Sequence, residues 1–105
     1  MEVRFLTIAQ EEVDEAFRWI QERAEGKGFE FLDELDRVVR LIRTFPLVAL
    51  EIEPEIRRSL LARFPYALAY GIDDQTLVVI AVMHTHRQPR YWIDRLTSLT
   101  DPSLP

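Results

Sequence analysis

The fold is decided by the stretch Tyr66–His84, which reads YALAYGIDDQTLVVIAVMH. Large and small side chains alternate along Tyr66–Ile72, and this period of two is the pattern of a β-strand. Asp73–Thr76, with the letters DDQT, is a tight-turn signal. Leu77–His84 is apolar at almost every position, as is typical of a central strand covered on both faces. The stretch therefore predicts two strands joined by a tight turn, the second of them at the centre of a sheet.

The two faces of the first strand differ in the size of their side chains. One face carries Tyr66, Leu68, Tyr70 and Ile72, and the other carries Ala67, Ala69 and Gly71. Small residues let a helix approach a sheet closely. We therefore expect the helices of this protein to pack on the alanine and glycine face.

Upstream of this stretch the sequence predicts one strand and two helices. Val3–Ile8 is β-branched and aromatic, as strands are. Apolar residues then recur every three or four positions in a helix that begins at or just after Thr7 and ends at the glycines of Gly26–Gly28. A second helix runs from about Phe29 to Phe45, where a proline stops it because proline has no N–H to donate. The short glycine connection predicts an antiparallel helical hairpin.

The remaining segments complete one domain spanning residues 1–105. Pro46–Ile56 is predicted to be an irregular connector, Arg57–Phe64 a strand, and Tyr91–Leu96 a short helical or irregular segment. The polar residues of Thr97–Pro105 are expected to fray. The order β-α-α-β-β-β predicts an α+β fold in which the helical hairpin packs on one face of a largely antiparallel, four-stranded sheet.

Composition excludes several classes of protein. The 105 residues include no cysteine, so a disulfide framework, a thiolate nucleophile and a cysteine-based zinc site are ruled out. No apolar run approaches the roughly 20 residues that span a bilayer. The N-terminus meets acids too early to form the apolar region of a signal peptide. We expect a cytoplasmic protein that makes no membrane contact.

Charge is distributed unevenly along the chain, whose net charge is −5. Residues 1–55 hold 7 basic and 14 acidic side chains, a balance of −7, whereas residues 56–105 hold 6 basic and 4 acidic side chains, a balance of +2. All the bases of the second half are arginines. A free-standing nucleic-acid binder usually has a basic surface over the whole domain. Short-range geometry rather than long-range attraction must therefore select what these arginines bind.

The string HTHRQPRYW, His84–Trp92, holds the candidates for a metal or catalytic site. His84 and His86 could point to one side of a strand, but a metal site needs a third and usually a fourth ligand, and none follows at a suitable spacing. We therefore expect no metal and no cofactor, with His84 capping the strand and His86 exposed. Nucleophile motifs and phosphate-binding glycine loops are also absent from the sequence.

Arginines at strand ends and in the following loop form the main candidate binding set. Its members are Arg57, Arg58, Arg63, Arg87 and Arg90. Guanidinium groups fork onto phosphate or carboxylate, and in an antiparallel sheet these residues could share one surface. They could equally pair with the acidic helices or with a partner's carboxylates. Trp92 could be a stacking platform or an apolar plug that closes the end of the sheet.

Taken in order, three segments resemble the RelE/ParE superfamily of type II toxins, especially its ParE, or plasmid stabilisation, branch. The segments are WIQERAEGKGFEFLDELDRVVRLIRTFP, RRSLLARFPYALAY and LVVIAVMHTHRQPRYW, within about residues 3–96. The strongest elements are the triplet Phe64–Tyr66, which opens a strand, and the set His84, Arg87, Pro89 and Trp92 after the last strand.

The resemblance implies a growth-inhibiting toxin that a cognate antitoxin neutralises by wrapping its surface. Antitoxin segments bury apolar residues as a helix or an added strand, so we expect apolar surface on the free chain. The complex usually represses its own operon, and it contacts operator DNA only through the antitoxin. The set expected to bind the antitoxin or the target is Arg57, Arg58, Arg63, His84, Arg87, Arg90 and Trp92.

The two branches of the superfamily act differently, and the sequence favours one of them. ParE-like members are associated with poisoning DNA gyrase, whereas RelE-like members cleave messenger RNA on the ribosome. RelE-like nucleases are basic and use lysines around the RNA, while this chain has one lysine, Lys27, and a net charge of −5. The closest matches to a nuclease set are Arg63, Arg87 and Tyr91. We therefore expect a toxin that binds a protein such as gyrase without catalysis of its own, with a ribosome-dependent endoribonuclease or a non-toxic antitoxin-binding protein as alternatives.

Overall fold

The computed structural model describes residues 1–97, which form two helices and one mixed sheet. The elements in chain order are β1 (Glu2–Phe5), α1 (Thr7–Arg23), α2 (Lys27–Thr44), β2 (Leu50–Glu53), β3 (Ile56–Leu60), β4 (Tyr66–Asp73), β5 (Thr76–His84) and a short 3₁₀ helix (Ile93–Leu96). The strand order in the sheet is β1-β5-β4-β3-β2. Of the four strand pairs in the described residues, β1–β5 is parallel and the others are antiparallel. The α+β class and the predicted order of helices and strands are confirmed. Apart from Thr97, the tail expected to fray lies outside the described residues.

Within residues 1–97 the sheet has five strands rather than the predicted four. The additional strand, β2, lies inside the segment predicted to be an irregular connector, and it forms a hairpin with β3 through Pro54 and Glu55. Glu55 has a φ of 67°, in the left-handed region that a tight turn requires. β2 has only four residues and contains a register shift, so its period-two pattern is too short to stand out between prolines.

The helices begin and end close to the predicted positions, with one difference at their junction. α1 begins at Thr7, so the first strand ends at Phe5 rather than Ile8. α2 begins at Lys27, and Gly26 turns the chain with a φ of 88°. Gly28 therefore lies within α2. A Cβ atom at Gly28 would come within 2.8 Å of the Phe17 ring, so glycine lets the two helices approach each other here.

The prediction of which sheet face the helices cover was wrong. The main core joins the buried residues of α1 and α2 to Tyr66, Leu68 and Tyr70 of β4. The face with the small residues packs instead against Trp92, in a separate cluster that includes Ala69. Large strand residues fill the space under the helices, and small ones make room for the indole on the opposite face.

β5 is the central strand that its apolar sequence predicts. It lies between β1 and β4, and residues 77–82 are buried. Its end, Met83–His84, and the loop that follows lead to the open part of the sheet face beside Trp92. Among residues 1–97, no helix combines the length and the apolarity needed to cross a bilayer.

Candidate functional site

The candidate site is a cavity on the sheet face that the helices leave uncovered. Trp92 is 1% exposed and packs among Ile56, Ala69, Ile80 and Ala81, so it plugs one end of this face, as one reading of the sequence predicts. Beside the indole lies a cavity of about 300 Å³. Its lining includes Ile52, Arg58, Ala67, Met83, His84, Arg87, Pro89 and Arg90. We call the surface formed by these residues, together with Leu50 and Leu60, the open face.

The structure separates Arg57 from Arg58. Arg57 pairs in register with Tyr70, and Tyr70 belongs to the core under the helices. The Arg57 guanidinium donates to the carbonyl oxygens of Leu47, at 3.2 Å, and Ala49, at 2.7 Å. Arg57 therefore holds the loop after α2. Arg58 lies on the opposite face, next to the cavity. The expectation that all these arginines share one sheet surface is wrong for Arg57.

Arg63 lies in the loop between β3 and β4, away from the cavity. Its φ is 68°, and its guanidinium is 3.7 Å from the Glu30 carboxylate of α2. The preceding residue is also tied to α2, because the Ala62 N–H donates to the Glu34 carboxylate at 2.5 Å. The Arg37 guanidinium donates two hydrogen bonds to the same carboxylate, at 2.7 and 2.8 Å. This buried Glu34 therefore fixes the loop, and Arg63 with it, against the helices rather than over the open face.

The other arginines differ in whether a carboxylate neutralises them. Arg90 pairs with Glu53 of β2 at 2.8 Å, and this ion pair lies at the rim of the cavity. Arg87 lies over the Tyr91 ring, with its guanidinium carbon 4.2 Å from the ring centre. Within the described part of the chain, neither Arg58 nor Arg87 has a carboxylate within ion-pair distance. Among residues 1–97, two guanidinium groups without a carboxylate partner thus line one cavity of an acidic protein.

Glu12 of α1 organises the segment that carries Tyr91 and Trp92. Its carboxylate accepts a 2.5 Å hydrogen bond from the Tyr91 hydroxyl and bonds at 2.7 and 3.1 Å from the Arg95 guanidinium. It also accepts the Val82 N–H of β5, at 3.1 Å. Arg95 donates in turn to the Ile80 carbonyl, at 3.0 Å. We call this group the Glu12 network.

The Glu12 network was missed in the sequence. Glu12 comes immediately before Val13 and is three residues after Ala9, so it borders the buried stripe of α1. A carboxylate at such a position is a candidate for a buried partner, and this was the available signal. Its partners, however, are 70 to 83 residues away, and only the folded chain identifies them.

The Glu12 network also determines the acid–base behaviour of Tyr91. Burial raises the pKa of the Tyr91 hydroxyl strongly, and the adjacent Glu12 carboxylate raises it further through the hydrogen bond and its negative charge. Arg95 and Arg87 oppose this change without cancelling it. The phenol therefore stays protonated at neutral pH, and its O–H group donates a hydrogen bond to Glu12. In this arrangement Tyr91 is a poor proton carrier for a reaction on the open face.

The histidines take the roles expected of strand-end residues. The His84 Nδ1 atom accepts the His86 N–H at 3.1 Å, so His84 caps the turn after β5, and His86 is exposed. Within residues 1–97, no group of three histidine or acidic side chains is arranged to hold a metal ion. His84 still lines the cavity and can contribute a polar contact there.

Comparison with known proteins identifies a matching family and solved structures with a similar fold. A family model described as the ParE toxin of the type II toxin–antitoxin system parDE matches residues 3–89. Among solved structures, the chain is similar to one titled "Chromosomal ParDE TA system from P. aeruginosa". The TM-score is 0.62 and the sequence identity 13%, over 80% of this chain and 95% of that chain. At that identity the likeness shows the fold alone. Curated protein sequences include no match.

Proposed function

Since this chain belongs to the ParE toxin family of type II toxin–antitoxin systems, we propose that it inhibits growth by binding a protein target and that a cognate antitoxin neutralises it. DNA gyrase is the target we propose, which places the toxin in the cytoplasm. Operator DNA is contacted through the antitoxin. The match of the family model over residues 3–89, most of the chain, carries this proposal.

The similar solved structure and the exposed apolar residues of this chain both support a cognate antitoxin. The similar solved structure is described as a ParDE toxin–antitoxin system. This chain also exposes large apolar side chains, among them Leu50 at 73% and Leu60 at 57%. Exposed apolar residues grouped on one face are typical of a surface that a partner covers. The open face is therefore the first candidate for antitoxin contact.

Binding without catalysis is supported by the positions of the nuclease candidates. Arg63 pairs with Glu30 in the loop against α2, while Arg87 lines the cavity. The Tyr91 hydroxyl donates to Glu12, and its pKa is raised by burial and by that carboxylate. A ribonuclease needs a cationic side chain and a proton carrier that both contact the RNA phosphate that reacts. The three residues are not assembled in this way.

One observation favours the ribosome-dependent endoribonuclease as a second candidate. The Arg87 guanidinium and the Tyr91 ring are in contact, 4.2 Å apart, so two members of a nuclease set do lie together. Primer extension on translated messages after induction tests this candidate. Discrete cuts within codons would support it, and intact messages in growth-arrested cells would exclude it.

The proposed target is tested with purified components. Gyrase, plasmid and ATP are incubated with the full chain, and covalently trapped DNA breaks are released with detergent and protease and measured as linear plasmid. We expect linear DNA to accumulate with the chain alone and to disappear when the antitoxin is added first. If the chain arrests growth when it is expressed but does not increase the amount of linear DNA in this assay, gyrase is not the target.

A further inference from the structure

The open face has an unbalanced positive charge. Arg58 and Arg87 line its cavity without a carboxylate partner in the described chain, whereas Arg90 is already paired with Glu53. Guanidinium groups left without partners in a concave site are suited to a carboxylate or a phosphate, which they bind through paired N–H donors. The cavity thus has a clear preference for a negative ligand, although the protein as a whole carries −5.

The open face also carries exposed apolar side chains. Leu50 of β2 pairs directly with Arg58 of β3, so the two side chains lie together on one face. Leu60 is two residues beyond Arg58 in the same strand and therefore points the same way. Both leucines are largely exposed. Apolar side chains thus flank the Arg58 guanidinium along the sheet.

The cavity floor beneath these side chains is formed by Ala67 and Met83. Arg58 pairs with Ala69, and Leu60 pairs with Ala67, in the register of β3 and β4. Ala67 also pairs with Met83 of β5, whereas Ala69 and Ala81 lie in the cluster that Trp92 covers. A backbone laid across the cavity can approach the sheet closely at Ala67 because an alanine side chain is small. This shape fits an extended segment with side chains that descend between those of the sheet.

We propose that an extended acidic segment of the antitoxin binds across the open face, with its carboxylates held by Arg58 and Arg87 and its apolar side chains packed on Leu50 and Leu60. This inference rests on the proposed function and names the chemistry of the partner. A peptide is favoured over RNA because the exposed side chains of Leu50 and Leu60 beside the cavity suit apolar side chains, which RNA lacks.

A synthetic peptide tests the chemistry directly. The full chain is titrated with a labelled decapeptide of alternating leucine and glutamate, with the same peptide carrying glutamine, and with a ten-nucleotide oligouridylate. We expect the glutamate peptide to bind at least about tenfold more tightly than the glutamine peptide, the change produced by losing one charge-assisted contact. Equal binding of the two peptides, or tighter binding of the oligouridylate, would overturn the proposal.

Variants assign the binding to the named residues. The double variant Arg58→Gln/Arg87→Gln should bind the glutamate and glutamine peptides equally. Arg58→Lys/Arg87→Lys should keep only part of the preference for the glutamate peptide, because an ammonium group cannot bind both oxygens of a carboxylate as a guanidinium does. The matched control is Arg40→Gln/Arg43→Gln, which removes the same charge from α2. Arg40 pairs with the exposed Asp36. Circular dichroism confirms that each variant is folded. A double variant that still prefers glutamate, or a control that loses the preference, would refute the assignment.

A second measurement separates this inference from the proposed function. The proposed cognate antitoxin is titrated into the full chain and into the same variants. We expect the Arg58→Gln/Arg87→Gln variant to bind about a hundredfold more weakly and the α2 control to bind as the wild type does. Tight antitoxin binding that both variants retain would refute the open face as the binding surface while leaving the toxin assignment intact. Failure of the wild type to bind would contradict the proposed function itself.

Discussion

The Tyr91 hydroxyl donates a 2.5 Å hydrogen bond to the Glu12 carboxylate, which joins the first helix to a segment 79 residues further along the chain. Through Arg95 and the Val82 N–H, the same carboxylate connects that segment to β5. Trp92 follows Tyr91 directly and covers one end of the open face. The Glu12 network therefore fixes the wall of the cavity that Arg87 lines.

Replacing Glu12 by Gln should lower the free energy of unfolding by about 1–3 kcal/mol. The substitution removes the charge from the bonds that Arg95 donates, and it leaves that largely buried guanidinium without a counter-charge. Urea unfolding followed by circular dichroism measures the change. Glu15→Gln is the matched control, since Glu15 is exposed on the same helix. An equal effect of the two substitutions would contradict the role of the network.

Glu34 should make part of the stability depend on acid pH. The hydrogen bonds from Arg37, opposed in part by burial, together with the Ala62 N–H, hold the pKa of this carboxyl below its ordinary value of 4.5. A carboxyl with a lowered pKa in the folded state contributes stability above its unfolded pKa, and this contribution is lost as the pH falls through the folded pKa. The difference in unfolding free energy between the wild type and Glu34→Gln should therefore be largest near neutral pH and should shrink below about pH 4.5.

The control for Glu34 is Asp36→Asn, which removes an acid that is exposed on the same helix and pairs with Arg40. Urea unfolding at several pH values between neutral and acid conditions gives the comparison. A wild-type minus Glu34→Gln difference that stays constant across this range would show that the carboxylate form of Glu34 contributes nothing to stability.

The two tryptophans should respond very differently to truncation. Trp92→Ala removes a side chain that is 1% exposed and should cost about 3–5 kcal/mol, since it empties a packed site. Trp19 is 52% exposed and stacks on Arg23, so Trp19→Ala should change stability by no more than about 0.5–1 kcal/mol. Acrylamide quenching of the single-tryptophan variants should show Trp92 protected and Trp19 accessible. Comparable quenching of both would mean that Trp92 does not cover the sheet.

Gly28→Ala should destabilise the protein although alanine is the better helix former by about 0.5–1 kcal/mol. The new Cβ would come within 2.8 Å of the Phe17 ring and 2.9 Å of the Gln21 Oε1 atom. The Gln21 Oε1 atom also accepts hydrogen bonds from the N–H groups of Gly26 and Gly28. Displacement of this oxygen by the new methyl group would weaken the turn between the helices. A thermal unfolding midpoint equal to or above that of the wild type would show that the helices can separate without cost.

The strands of the sheet could be predicted where their pattern was long enough. Tyr66–Ile72 alternates over seven residues and was recognised as a strand, whereas Leu50–Glu53 has four residues between prolines and was not. Alternation also shows which residues share a face, but not what covers that face. The helices lie on Tyr66, Leu68 and Tyr70 because the alanine face is taken by Trp92, whose position depends on the distant Glu12 network.

The candidate site could be predicted as a set of residue types but not as an arrangement. Arg57 and Arg58 are neighbours in sequence and lie on opposite faces, so only the register with β4 decides which of them reaches the cavity. Arg63 was grouped with them, but Glu30 and the loop fixed by Glu34 hold it elsewhere. Arg63 and Arg90 pair with carboxylates from distant parts of the chain, whereas Arg58 and Arg87 have no such partner among the described residues. The local sequence does not show which arginines are paired.

The central claim, that this chain is a toxin neutralised by its partner, is tested most directly by growth after induction. Cells carry the full chain under a tightly repressed promoter, alone or together with the gene of the proposed cognate antitoxin. Colony-forming units are counted over time, and soluble protein is checked by immunoblot. We expect colony counts to stop rising with the chain alone and to rise normally when both proteins are made. Normal growth of cells that accumulate the chain alone as soluble, folded protein would contradict the claim.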